Sequence, residues 1–79
     1  MSEPSIRSKI IELENLLYGE KKGVIYKAII ESIEKPLIEQ ALERTEGNQL
    51  KAARNLGINR NTMRAKIRKF GIDTTVYKL

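Results

Sequence analysis

Apolar residues return every three or four positions along most of the chain, and no stretch sustains the two-residue alternation of a half-buried strand. The pattern predicts an all-α fold of four helices. A first helix is expected from Ser5 to Leu17, with Ile6, Ile10, Leu13 and Leu17 on one stripe. Ser5 or Ser2 can cap it, and Gly19 stands just past its end as a stop signal. After a short Lys-rich turn, Gly19 to Gly23, a second helix is expected from Val24 to Thr45. Ile25, Ile29, Ile33, Leu37 and Ala41 form one line at i, i+4, widened by Tyr26, Ile30, Ile38 and Leu42. Pro36 falls inside that line. Its missing N–H and its ring cost a helix interior about 3 kcal/mol, so it must kink one helix or divide two. Lys35 is a poor cap for a new helix and the apolar line stays in phase across the proline, which favours one kinked helix ending at Gly47.

The rest of the chain is punctuated by asparagine and glycine. Asn48 is a good N-cap for a third helix that runs to Leu56. Gly57 makes the next turn, where a positive φ is expected and glycine takes it at least cost. Asn59 caps a fourth helix from Arg60 to Phe70, closed by Gly71. Residues 72–79 are expected as a short tail, extended or disordered.

Seventy-nine residues make one domain, and a chain of that length buries only roughly 60% of its unfolded surface. Small chains add disulfides, a metal or a partner subunit. Cysteine and histidine are both absent, which removes the first and most of the second and leaves oligomerisation; no cofactor is called for. No apolar run approaches the roughly 20 residues that span a bilayer, and the start lacks the layout of a signal peptide, so a cytoplasmic protein without a membrane partner is expected.

Charge changes the picture. Residues 44–70 carry eight Lys and Arg against a single acid, Glu46, for a net +7; residues 1–43 carry −2 and residues 71–79 are neutral. All the net positive charge of the chain therefore belongs to one short helical unit, the electrostatic footprint of a nucleic-acid reader. The unit has helix–turn–helix spacing. Ala52 and Ala53 supply small residues where two helices cross closely, Gly57 the turn, and Ile58 an apolar plug. Met63, Ile67 and Phe70, at i, i+4 and i+7, pin the fourth helix to the body. That turns Arg60, Asn61, Thr62, Arg64, Ala65, Lys66 and Arg68 outward. Arg can bond guanine bidentately, Asn can pair with adenine, and a Thr methyl can touch thymine in the major groove. Lys66, Arg68 and Lys69, further along, suit flanking phosphates.

Gly47-Asn48-Gln49, Ala52-Ala53, Leu56-Gly57-Ile58, Asn59-Arg60-Asn61-Thr62-Met63 and Phe70-Gly71 together closely resemble the Fis-type DNA-binding domain. That domain forms the nucleoid protein Fis and the C-terminal domain of NtrC-class activators of sigma-54 RNA polymerase. The resemblance is densest over residues 37–72, and Glu34-Lys35-Pro36-Leu37 is similar to the kinked proline region of the family's long second helix. It implies an intertwined homodimer built on residues 1–46, with Ile6, Ile10, Leu13, Leu17, Ile25, Ile29 and Ile33 at the interface, and a helix–turn–helix over 48–71. It implies a recognition helix that contacts double-stranded DNA through Asn59, Arg60, Thr62, Arg64 and Lys66, with Asn48 and Gln49 touching backbone. It also implies DNA bent to meet two closely spaced recognition helices at a palindromic site.

Two departures from the family pattern stand out, of which the first bears on the choice within the family and the second on a single DNA contact. Only about five residues precede the first helix, where Fis has a mobile β-hairpin arm, and Ala65 stands where relatives often carry a basic residue. The short lead-in favours the excised C-terminal domain of a bacterial NtrC-class transcriptional activator, which would reach RNA polymerase only through an upstream domain; the alternative is a stand-alone Fis-like nucleoid protein that bends DNA. Readings from other classes fit less well. Paired acids such as Glu12/Glu14 and Glu31/Glu34 lie on Lys-rich helices as balanced surface charge, and no nucleophile accompanies them, so an enzyme is not expected. A helical protein-interaction module would differ mainly in what the stripes of the first two helices meet. A basic membrane-surface helix is disfavoured by Met63 and Phe70 at core spacing and by the lack of Trp. Tyr18, Tyr26 and Tyr77 are too scattered to stack bases.

Overall fold

The computed structural model describes residues 5–20 and 22–78 and is helical throughout, with no strand among them. Helix α1 runs Ile6–Tyr18, α2 Ile25–Arg44, α3 Gln49–Leu56 and α4 Arg60–Phe70; a 3-10 turn, Thr74–Tyr77, follows. The four helices expected from periodicity are all present, with ends shifted by a residue at most. The described residues fall into two compact units divided between Ile33 and Glu34.

Within the first unit, Ser5 caps α1 by accepting a hydrogen bond from the Ser8 N–H at 3.1 Å. Ser2, the other candidate cap, lies outside the described residues. Gly19 ends α1 in the right-handed region, its N–H donating to the Leu17 carbonyl. The positive φ in this turn falls on Gly23, at 93°. No residue of α1 is buried. Pro36 sits inside α2 without dividing it, so of the two outcomes open to the proline the chain adopts a single helix. Ser32 and Pro36 are both exposed, which lets water solvate the Ser32 carbonyl that the proline cannot bond.

The second unit holds the core. Ile38, Ala41 and Leu42 of α2 meet Ala52 and Ala53 of α3 and Met63 of α4, with Leu56, Ile58, Ile67, Phe70, Ile72 and Tyr77 packed around them. Ala52 and Ala53 are almost entirely buried, as the close crossing of α3 and α4 requires. The corner between α2 and α3 is closed by hydrogen bonds. Buried Thr45 has its hydroxyl 3.1 Å from both the Ala41 and the Asn48 carbonyls, and the Gly47 N–H donates to the Leu42 carbonyl at 2.9 Å. Glu46 and Gly47 both take positive φ there, 54° and 86°.

The tail departs from expectation. Residues 72–78 are ordered, with Ile72 and Tyr77 packed against the core. Asp73 starts the 3-10 turn by accepting from the Thr75 N–H at 3.0 Å and its hydroxyl at 2.6 Å. Those two hydrogen bonds, side chain first, hold the Asp73 carboxyl below its ordinary pKa.

Candidate nucleic-acid interface

The candidate interface is built from the bottom of its two helices upward. Asn48 and Asn59 both hold extended backbone and cap α3 and α4 with their side-chain oxygens. Asn48 Oδ1 accepts from the Lys51 N–H at 3.0 Å, and Asn59 Oδ1 from the Asn61 N–H at 2.7 Å. Between the helices, Gly57 adopts φ 76°, as the turn demands, and its N–H donates to the Ala53 and Arg54 carbonyls. Ile58 then bonds the Ala53 carbonyl through its own N–H at 3.0 Å and tucks against the core. The turn is thus satisfied by backbone hydrogen bonds.

Met63 is fully buried and sets the orientation of α4. At about 100° per residue, Ile67 and Phe70 lie on either side of it, and Asn61, Ala65 and Arg68 point the opposite way. Exposure follows this arithmetic: Arg60, Asn61, Thr62, Arg64, Ala65, Arg68 and Lys69 are exposed, as are Asn48 and Asn59, while Gln49 is half-buried. Lys69 also lies over the Phe70 ring, 5.6 Å from its centre. The positive end of the α4 dipole adds to the cationic surface near Arg60. Two exposed bases of α3, Lys51 and Arg54, extend it, and the sequence reading left them out. Both fall within the basic window, which was the signal available for them.

Lys66 is the exception among the residues expected to face outward. It is half-buried and its Nζ lies 2.9 Å from Glu34 Oε2 and 3.2 Å from Oε1. Lys66 lies about 60° from Met63 at 100° per residue, on the flank where Glu34 of α2 stands, whereas Arg60, as far from Met63 on the other flank, is exposed. Glu34 announced itself in the sequence: it interrupts the line Tyr26, Ile30, Ile38, Leu42 at the i, i+4 position, where a carboxylate needs a partner.

In the first unit, the residues expected at a dimer interface divide. Ile10, Leu13, Leu17, Ile25 and Ile29 are half-buried within their own chain, whereas Ile6 is 77% and Ile33 40% exposed. Leu16 and Tyr26, which the sequence reading did not assign to the interface, are 71% and 81% exposed. Among the described residues no helix is long and apolar enough to cross a membrane, and no cluster of three or more acidic, Cys or His residues could hold a metal.

The model of a family described as bacterial regulatory protein, Fis family, matches residues 29–70, more than half the chain. The chain belongs to the Fis family. Among curated relatives, a protein named DNA-binding protein Fis from Aliivibrio fischeri (strain MJ11) is 33% identical over 69 residues, covering 87% of this chain and 70% of the relative. Similarly named proteins from Mannheimia haemolytica and Proteus mirabilis are 41% identical over 56 residues and 37% over 57. These two alignments cover 71% and 72% of this chain and 57% and 58% of the relatives. No solved structure gave a significant match. All three relatives carry the name Fis and none an activator's, so the comparisons side with the Fis-like alternative over the NtrC-class assignment. The Fis-family match takes in the second unit through α4 and stops at Phe70, short of the ordered 3-10 turn.

Proposed function

We propose that this Fis-family protein binds double-stranded DNA as a homodimer, reading sequence through the N-terminal part of α4 and bending the duplex in the manner of a nucleoid-associated protein of the bacterial cytoplasm. The observation that carries the proposal is the exposed face of α4. Arg60, Asn61, Thr62, Arg64 and Arg68 project from a helix whose opposite side is fixed by the fully buried Met63. Arg60, Asn61 and Arg64 supply base-edge chemistry, with Thr62 on the flank of that face; Arg68, Lys69 and the helix-start residues Asn48, Gln49 and Asn59 supply backbone grip. The relatives' shared name, DNA-binding protein Fis, supports the same reading.

The homodimer is supported by the first unit. With no buried residue in α1 and with Ile6, Leu16, Tyr26 and Ile33 exposed, the first unit lacks a core of its own. A second copy, its chemistry matching by symmetry, is the simplest cover. The test combines sedimentation with selection from a randomised duplex pool. A dimer that enriches a pseudo-palindromic site, and bends it in a circular-permutation gel, meets the proposal. A monomer at micromolar concentration, or a pool that stays random, overturns it.

A further inference from the structure

We propose that Lys66 is a positioning residue for the recognition helix, acting through Glu34, and does not itself contact DNA. This rests on the DNA-binding reading above and sharpens which residues of α4 do the reading. Three observations converge. First, both carboxylate oxygens of Glu34 engage the Lys66 ammonium, at 2.9 and 3.2 Å, and the two side chains are each only 28% exposed. An ammonium already neutralised in this way displaces few counterions from a phosphate backbone.

Second, the pair borders an apolar cavity of about 150 Å³ lined by Leu37, Ile38, Leu56, Ile58 and Thr62. A low-dielectric wall on one side strengthens the attraction over that of a freely solvated pair. It also makes either charge costly to leave alone. Third, Lys66 lies about 160° around α4 from both Arg64 and Arg68 at 100° per residue. A groove that meets those two arginines squarely faces away from it. The pair therefore clamps one flank of α4 to α2 within the second unit, and the angle of the reading face depends on it.

The sign of a single substitution separates this from the phosphate-contact reading. Glu34→Gln removes the clamp but liberates Lys66. Binding is measured for the wild type, Glu34→Gln, Lys66→Gln, the double variant and the charge swap Glu34→Lys/Lys66→Glu. The probes are a duplex selected by the wild type and a scrambled duplex of equal length, over a range of salt. Each single variant should lower the preference for the selected duplex roughly threefold to tenfold, with the double variant no worse than either single. The swap should recover preference, and Lys66→Gln should leave the salt slope on scrambled DNA unchanged. Should the swap fail to fold by circular dichroism, Lys66→Arg serves in its place and should keep the wild-type preference. If Glu34→Gln tightens binding to both duplexes while Lys66→Gln weakens both and flattens the slope, Lys66 is a phosphate ligand and the proposal falls. Single variants that leave preference intact also sink it. A wild type with no preference for any duplex overturns the DNA-binding reading instead.

Discussion

Gly47 is the residue at which backbone strain and tertiary contact can be separated by experiment. Its φ of 86° lies in the region that L-residues avoid, and a Cβ placed there would sit 3.0 Å from Lys78 Cγ and 3.1 Å from the Thr74 carbonyl oxygen. Lys78 can swing aside; the Thr74 oxygen belongs to the backbone of the 3-10 turn and cannot move alone. Gly47→Ala should therefore lose about 1–2 kcal/mol from left-handed strain, and about 1–2 kcal/mol more from displacing the turn. Gly57→Ala and Gly71→Ala provide the control, because φ is also positive there but nothing lies within 4 Å of the added carbon. They should show the strain alone. Ending the chain after Asp73 removes Thr74 and Lys78, and in that background Gly47→Ala should cost no more than Gly57→Ala. Guanidinium unfolding followed by circular dichroism, at one fixed protein concentration, gives the four free energies of the cycle. Equal costs for Gly47→Ala and Gly57→Ala in the full chain, or a cost that truncation leaves unchanged, would show that the tail does not rest on Gly47.

Other expectations reach the core, the face of α4 and the proposed interface. Leu42→Ala empties a fully buried site and should destabilise the fold by about 2–5 kcal/mol in the same unfolding assay. Arg60→Ala should lower affinity for a selected duplex by about 1–3 kcal/mol and relax preference at one base position. Arg68→Ala should weaken all sequences alike and reduce the salt slope by about 0.9 per lost phosphate contact; equal effects of the two variants on discrimination would erase the division between reader and grip. Leu16→Asp should shift sedimentation toward monomer, and a variant that stays dimeric removes Leu16 from the interface. Burial, then the neighbouring Glu39 and Glu43 carboxylates, raises the Tyr77 phenol above its ordinary pKa. The folded state thus holds this proton more tightly than the unfolded one. Stability from that source is complete below about pH 10 and is lost as pH rises through the folded value, so Tyr77→Phe should flatten the alkaline limb of a stability–pH profile.

The elements legible in the sequence were those fixed by local chemistry. Asn48 and Asn59 before apolar-periodic runs, and glycines after them, marked α3 and α4 because caps and turns depend on a few adjacent residues. Other features needed the fold. Nothing local tells an ordered tail from a loose one, although Asp73 two residues before Thr75 is a turn-starting pattern and Ile72 and Tyr77 are apolar enough to dock. The i, i+4 line of α2 read as one stripe, yet burial concentrates on Ile38, Ala41 and Leu42, which join Ala52, Ala53 and Met63 in the core, while Ile33 and Leu37 stay exposed. Lys66 read as a surface base because its partner stands 32 positions earlier.

The capping asparagines carry a consequence of their own. A carboxamide ordinarily offers one acceptor and two donor hydrogens, and that pairing of opposites is how asparagine recognises adenine. Asn48 and Asn59 have each committed one lone pair of the side-chain oxygen to the N–H groups of Lys51 and Asn61, so toward any visitor they offer chiefly their N–H hydrogens. With Arg60 and Arg64 beside them, the helix tips become a surface that gives hydrogens and scarcely takes them. Such a surface favours the acceptor-rich edge of guanine and the oxygens of phosphate. Asn61, exposed and not spent on a cap, is the carboxamide left on this face that could still read adenine.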